Sequence, residues 1–160
     1  MQRNSTKLVK LLTEKKLTLA LAESMTCGLA AHQLSAVFGT SEVFLGSIVC
    51  YTPEMKCQTL GVSPSLIKKH TAESPEVTDL LAISLKKQIN ASIYAAITGL
   101  ASRGGSESKN KPVGTVFFSV YYKKKMYRET LLFIGGPLQV RKKACKELYA
   151  FIGSVVAKNA

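Results

Sequence analysis

Histidine is scarce in this 160-residue chain, and closely paired cysteines are absent. There are two histidines, His32 and His70, and four cysteines, Cys27, Cys50, Cys57 and Cys145, with no C-x-x-C spacing. Neither histidine has a ligand pattern beside it, so no metal site is expected, and the cysteines suggest neither structural zinc nor a redox pair. Reduced, mostly buried thiols are expected, with Cys27 as the one to watch if it lies at a helix N-terminus, where a thiol can become reactive. No apolar run approaches the roughly 18 residues needed to cross a bilayer. Residues 1–16 also lack the apolar centre of a secretory signal, so a cytoplasmic chain with no membrane attachment is expected. Acidic residues number only 10 against 22 Lys and Arg, a formal net charge of +12. Such an excess suits nucleic acid, anionic lipid or phosphorylated ligands without choosing among them. Nucleic acid ranks last, because the charge is dispersed and no dedicated motif accompanies it. Repeats and linkers are also missing, so one domain over residues 1–160 is expected, with its core at about 8–157.

What is present is an alternation of helical and extended patterns. Ser5 to Lys16 predicts an amphipathic helix, Leu17 to Leu21 a short buried strand, and Gly28 to Val37 a second helix. Phe44 to Tyr51 is the next strand by its β-branched and aromatic content. Pro53 opens a helix that Gly61 ends, and Ser63-Pro64 and Ser74-Pro75-Glu76 are further helix starts, the second running to about Ile89. Ser92 to Thr98 reads as a buried strand, and Gly99 to Lys111 as a polar loop. Val113 to Tyr122 and Met126 to Ile134 read as an antiparallel pair with a basic tip at Lys123, Lys124 and Lys125. Pro137 opens the last helix. This order implies an α/β fold, a mixed sheet covered by helices on both faces, with sites expected where loops leave the carboxyl ends of strands.

The segment Ala22-Glu23-Ser24-Met25-Thr26-Cys27-Gly28-Leu29 is where the first strand gives way to a helix. A serine there sits near unpaired backbone N–H groups that can stabilise an anion or a developing oxyanion. The plainer alternative is that Ser24 or Thr26 caps the helix.

Three separated segments join into a pattern: Glu23-Ser24-x-Thr26-x-Gly28-Leu29, then Tyr51 with Lys56 five positions on, then Thr98-Gly99-x-Ala101 followed by Gly104-Gly105 and Lys111-Pro112-Val113-Gly114-Thr115-Val116. In this order they resemble the CinA C-terminal domain family, whose characterised activity is deamidation of nicotinamide mononucleotide. The likeness runs from about Leu8 to Ile152 and includes Leu60-Gly61-Val62 and Ser74-Pro75-Glu76-Val77. The resemblance implies a three-layer α/β/α sandwich, a homo-oligomer, and a stand-alone member lacking the larger N-terminal domain that some relatives carry. It also implies hydrolysis of a nucleotide carboxamide in pyridine nucleotide salvage, with no cofactor or metal. Ser24 would then be the nucleophile. With neither histidine near a motif, Lys56 is the natural base, provided burial or a nearby cation keeps it neutral. Tyr51 would relay a proton or hold the lysine, and N–H groups around Thr26, Cys27 and Gly28 would form the oxyanion hole. Glu23 is grouped with these as part of the substrate site. Gly99, Gly104 and Gly105 would let the backbone approach a nucleotide, Thr98 would donate a hydroxyl, and Arg141 would pair with its phosphate. The structural alternatives are a Tyr51 that ends a strand, a solvated Lys56 and glycines that only turn the chain.

The pattern is broken in three places. Cys27 stands where the family has glycine, which would narrow the pocket or strain the turn if positive φ is needed. Ser102-Arg103 replaces a Gly-Pro, and Gly136-Pro137 replaces the Asp-Arg that the family favours before its last helix. These breaks keep a second reading open, a catalytically inactive relative that binds a nucleotide or a protein partner.

Overall fold

Alternation along the strands decides which side of the sheet each residue serves. The computed structural model describes residues 2–159. Five strands, β1 (Leu19–Glu23), β2 (Phe44–Val49), β3 (Ile93–Gly99), β4 (Thr115–Tyr122) and β5 (Lys125–Leu132), form one sheet in the order β2-β1-β3-β4-β5. β1 runs parallel to both β2 and β3, while β4 and β5 are antiparallel. Leu19, Leu21, Ile93, Ala95, Ile97, Val116, Phe118 and Val120 point to one side. There they meet α1 (Gln2–Lys15), α2 (Leu29–Ser35) and α6 (Pro137–Lys158). Ala20, Ala22, Tyr94 and Ala96 point the other way, toward α3 (Pro53–Leu60), α4 (Pro64–His70) and α5 (Pro75–Ser84). Because β1 and β3 are buried on both faces, they read as nearly continuous apolar runs. The three-layer α/β/α sandwich with a mixed sheet is therefore the fold expected from the sequence.

The helix starts follow local chemistry. Thr52, Ser63 and Ser74 each precede a proline and accept a hydrogen bond from the backbone N–H three residues on, at 3.2, 3.2 and 3.3 Å. Proline loses nothing at the first helical position, since its absent N–H has no intrahelical partner there. Gly61 closes α3 with φ at 66°, and the N–H groups of Gly61 and Val62 satisfy the carbonyls of Cys57 and Lys56.

Several element boundaries differ from the sequence pattern by a few residues, and those of β1 and α5 have clear local causes. β1 starts at Leu19 and extends to Glu23, two residues later than the apolar run suggests. Leu17 instead closes α1 by donating to Leu12 O, and Thr18 and Ser92 exchange hydrogen bonds that set β1 and β3 level before pairing begins. α5 ends at Ser84 and tightens into a 3₁₀ turn over Leu85–Lys87, where Leu85 O accepts from both Gln88 and Ile89. At the β4–β5 tip, Lys123 and Lys124 turn the chain with positive φ, and Lys125 already belongs to β5. No helix among the described residues is long and apolar enough to cross a membrane.

The register brings the candidate motifs together. Glu23 pairs with Ile97 of β3 and Val49 of β2. Just beyond, Ser24 N donates to Ile97 O at 3.1 Å and Cys50 N donates to Glu23 O at 2.8 Å. The serine turn, the Cys50-Tyr51 segment and the Thr98-Gly99 segment thus leave the carboxyl edge of the parallel strands side by side.

Candidate active site

Lys56 lies on the first full turn of α3, four residues after the capping Thr52. Side chains on a helix lean toward its N-terminus, so Lys56 reaches back over the segment that enters α3. Its Nζ lies 2.9 Å from Ser24 Oγ, 3.0 Å from Cys50 O and 3.1 Å from Tyr51 O. The side chain is fully buried. Burial pushes its pKa below the ordinary lysine value, against weaker opposing effects of Cys50, Glu73, Cys57 and Glu54. The positive end of a helix dipole disfavours an ammonium here as well. Tyr51 contributes its main-chain carbonyl to holding the lysine, while its side chain is half exposed on the pocket wall.

Glu23 has a different place from the one expected. Its carboxylate is fully buried and accepts from Gly28 N at 3.1 Å, Ala30 N at 3.0 Å, Ala31 N at 2.9 Å and Ser47 Oγ at 2.9 Å. It therefore caps α2, and neither Ser24 nor Thr26 does so. The anion position at the start of this helix is filled by the chain itself. Cys27 N donates to Ser24 O and Gly28 N to Glu23, so neither is free to receive an oxyanion. The N–H groups of Met25 and Thr26 make no hydrogen bond among the described residues. The Thr26 hydroxyl is buried and has no hydrogen-bond partner among the described residues. Cys27 does adopt positive φ, at 49°, but its side chain is exposed and does not line the pocket.

A pocket with a volume of about 190 Å³ opens on Ser24. Met25 and Tyr51 flank the serine, Gly99 and the loop from Leu100 to Gly105 form a second wall, and Glu73 and Arg141 complete the lining. Gly99 permits the close packing of this wall, because a Cβ there would lie 2.5 Å from Thr115 O and 2.9 Å from Met25 Sδ. Thr98 is turned away: it is fully buried, and its hydroxyl lies 2.7 Å from that of Thr78 on α5. Gly104 and Gly105 line the pocket, but their N–H groups both donate to the Glu107 carboxylate at 2.9 Å, which lowers its pKa. Arg141 lines the pocket with its Nε buried and without a hydrogen-bond partner among the described residues.

Sequence reasoning overlooked Glu73 and gave Lys111 no role. Lys111 Nζ donates to Thr71 Oγ1 at 2.6 Å, Ser106 Oγ at 2.7 Å and Glu73 O at 2.8 Å, tying the glycine loop to the segment before α5. Lys111 opens the Lys111-Pro112-Val113-Gly114-Thr115-Val116 segment, which is its one signal in the sequence. For Glu73, an acid in a loop of a strongly basic chain was the only hint.

These features define a class: a three-layer α/β/α domain whose buried lysine meets a serine at the carboxyl edge of parallel strands, beside a pocket that two arginines line. The chain belongs to the CinA C-terminal domain family, whose profile matches residues 1–156. A CinA-like protein of Prochlorococcus marinus (strain MIT 9301) is 42% identical over 113 residues, covering 71% of this chain and 26% of that protein. The crystal structure of a competence or damage-inducible protein from Enterobacter asburiae has a TM-score of 0.90 at 30% identity, covering 97% of both chains. A CinA superfamily protein from Klebsiella pneumoniae 700603 has a TM-score of 0.92 at 25% identity, covering 98% of both. The chain spans about a quarter to a third of the length of the curated relatives it matches.

Proposed function

We propose that this domain hydrolyses the carboxamide of nicotinamide mononucleotide to the acid, releasing ammonia, with Ser24 as nucleophile and Lys56 as base. The observation that carries the reading is the 2.9 Å contact between the buried Lys56 Nζ and Ser24 Oγ. A neutral amine has two N–H groups and one lone pair. The carbonyls of Cys50 and Tyr51 take the two N–H groups, which leaves the lone pair for the Ser24 O–H. Once protonated, the three N–H groups of the ammonium match the same three acceptors, so a proton can be held and returned without rearrangement.

Ser24 Oγ gives its proton to Lys56 as the Oγ–C bond forms and the carbonyl pair moves to oxygen. The free N–H groups of Met25 and Thr26 are the donors left to meet that oxyanion. The Lys56 ammonium then protonates the departing nitrogen, the C–N bond breaks, and ammonia leaves an ester on Ser24. Water attacks the ester with Lys56 taking its proton, and that proton returns to Ser24 as the acid departs. Arg141, aided by Arg103, supplies guanidinium charge for the phosphate.

The test is ammonia release from nicotinamide mononucleotide by the parent beside Ser24→Ala and Lys56→Met, with binding of the mononucleotide measured for all three. Turnover by the parent is expected, with a loss of about a thousandfold or more in either variant. Binding without ammonia release from the parent would instead favour the second reading, a relative that keeps the pocket but not the reaction.

A further inference from the structure

Of the residues lining the pocket, Glu73 alone carries a carboxylate, and it faces a site that also presents Arg103 and Arg141. The chain has 22 Lys and Arg against 10 Asp and Glu. Glu14, Asp79 and Glu147 each have an ion-pair partner, while Glu73, like Glu23, Glu42, Glu54, Glu107 and Glu129, forms no Lys or Arg ion pair among the described residues. It is nonetheless held in place. Ser106 Oγ donates to its Oε2, and the Lys111 ammonium holds both that Ser106 oxygen and the Glu73 main-chain carbonyl. Thr71, two residues earlier, is kept at φ 71°, a left-handed conformation that β-branched residues avoid, with its hydroxyl also on Lys111. The carboxylate is preorganised at the pocket, and the Lys111 ammonium reaches it only through the bridging Ser106 hydroxyl.

We infer that Glu73 is a specificity-determining residue that selects a carboxamide borne on a cationic ring, the carboxylate pairing with the ring's positive charge while the arginines take the anionic end. The inference rests on the deamidase reading and names the feature of the substrate that this chain recognises beyond its amide and phosphate. A carboxylate repels phosphate, so the Glu73 side of the pocket suits the ring and the guanidinium side suits the phosphate. A two-oxygen grip on a ribose diol is less well served, because Ser106 already occupies Oε2. A cation beside Glu73 also offsets the field through which that carboxylate favours the Lys56 ammonium, so a charged ring would assist the base.

The test compares nicotinamide mononucleotide with its dihydro form, which keeps the ribose, phosphate and carboxamide but has an uncharged ring. Dissociation constants are measured for both in Ser24→Ala, and again with Glu73→Gln added. Glutamine keeps an acceptor for Ser106 and removes only the charge. In Ser24→Ala the charged form should bind about tenfold tighter, as for an ion pair in a half-open pocket, and Glu73→Gln should abolish that preference without weakening the dihydro form. A preference absent in Ser24→Ala, a measurement that needs no change at Glu73, overturns the inference. So does a preference that survives Glu73→Gln, or an equal loss for both forms, which would make Glu73 a reader of ribose hydroxyls. Turnover of the mononucleotide by the parent without charge preference leaves the deamidase reading intact and removes this inference alone. Failure of both forms to bind removes both.

Discussion

Glu23→Ala isolates what holds the serine turn. The substitution leaves four donors without their acceptor: the N–H groups of Gly28, Ala30 and Ala31 and the Ser47 hydroxyl. Ala30 is fully buried, so its N–H cannot turn to water, a cost of about 1–3 kcal/mol. The other three are half-buried positions that regain water, losing about 0.5–1 kcal/mol each. Removing a buried charge recovers part of this, because the carboxylate no longer has to be kept from solvent. The net loss is about 3 kcal/mol, or a fall in Tm of roughly 6–12 °C for a chain of this size.

Glu23→Gln should cost about half as much. Its amide oxygen can serve Gly28 and Ala30 while the NH₂ faces Ala31 and Ser47, where the hydroxyl can turn to accept but the backbone N–H cannot. Ser24 is the next residue, so turnover should fall about ten- to a hundredfold in the alanine variant even at temperatures where it remains folded, as the contact with Lys56 loosens. Thermal unfolding followed by circular dichroism gives the first quantity, and ammonia release well below Tm gives the second. An alanine variant whose Tm stays within about 2 °C of the parent, or a glutamine variant as damaged as the alanine one, would refute the capping argument.

Two further outcomes follow from the same geometry. Lys56 must be neutral to accept a proton, and its pKa lies below the ordinary lysine value of 10.5, so kcat/KM should rise with pH through that lowered pKa and level off before 10.5. Between the folded and ordinary values the unfolded chain binds more protons, so stability should also rise with pH there, and Lys56→Met should abolish that rise; matched titrations of rate and of denaturant midpoint check both. Gly99→Ala places a Cβ 2.5 Å from Thr115 O and 2.8 Å from Val116 Cα, backbone atoms that cannot rotate aside, so a loss of about 2–4 kcal/mol in urea unfolding is expected. An unfolding midpoint equal to the parent's would mean that β3 and β4 separate more easily than their packing suggests.

The elements legible in the sequence are those set by short-range rules. Thr52-Pro53, Ser63-Pro64 and Ser74-Pro75 mark helix starts because cap and proline act within one turn. The spacing from Tyr51 to Lys56 is legible for the same reason: five residues across a helix N-terminus return the amine to the carbonyl of Tyr51. Less legible is where each polar group spends its hydrogen bonds. Thr98 looks like a ligand donor until Thr78, twenty residues away, takes its hydroxyl. Lys111 finds Thr71 and Glu73 only once the loop folds back over the segment before α5.

The same accounting separates the groups available to a ligand from those the fold has claimed. Around the serine, sequence pattern suggests many anion-binding N–H groups: the start of α2 and the glycine pair of the loop. The fold gives both to its own carboxylates, Glu23 on α2 and Glu107 on Gly104 and Gly105. What remains for a ligand is smaller and more specific: the N–H groups of Met25 and Thr26 beside Ser24, the guanidinium groups of Arg103 and Arg141, and the carboxylate of Glu73. A ligand that used the helix terminus or the glycine pair would have to displace an internal carboxylate first. One with an electrophilic carbon, a positive charge and an anion in sequence would meet each remaining group without displacing any.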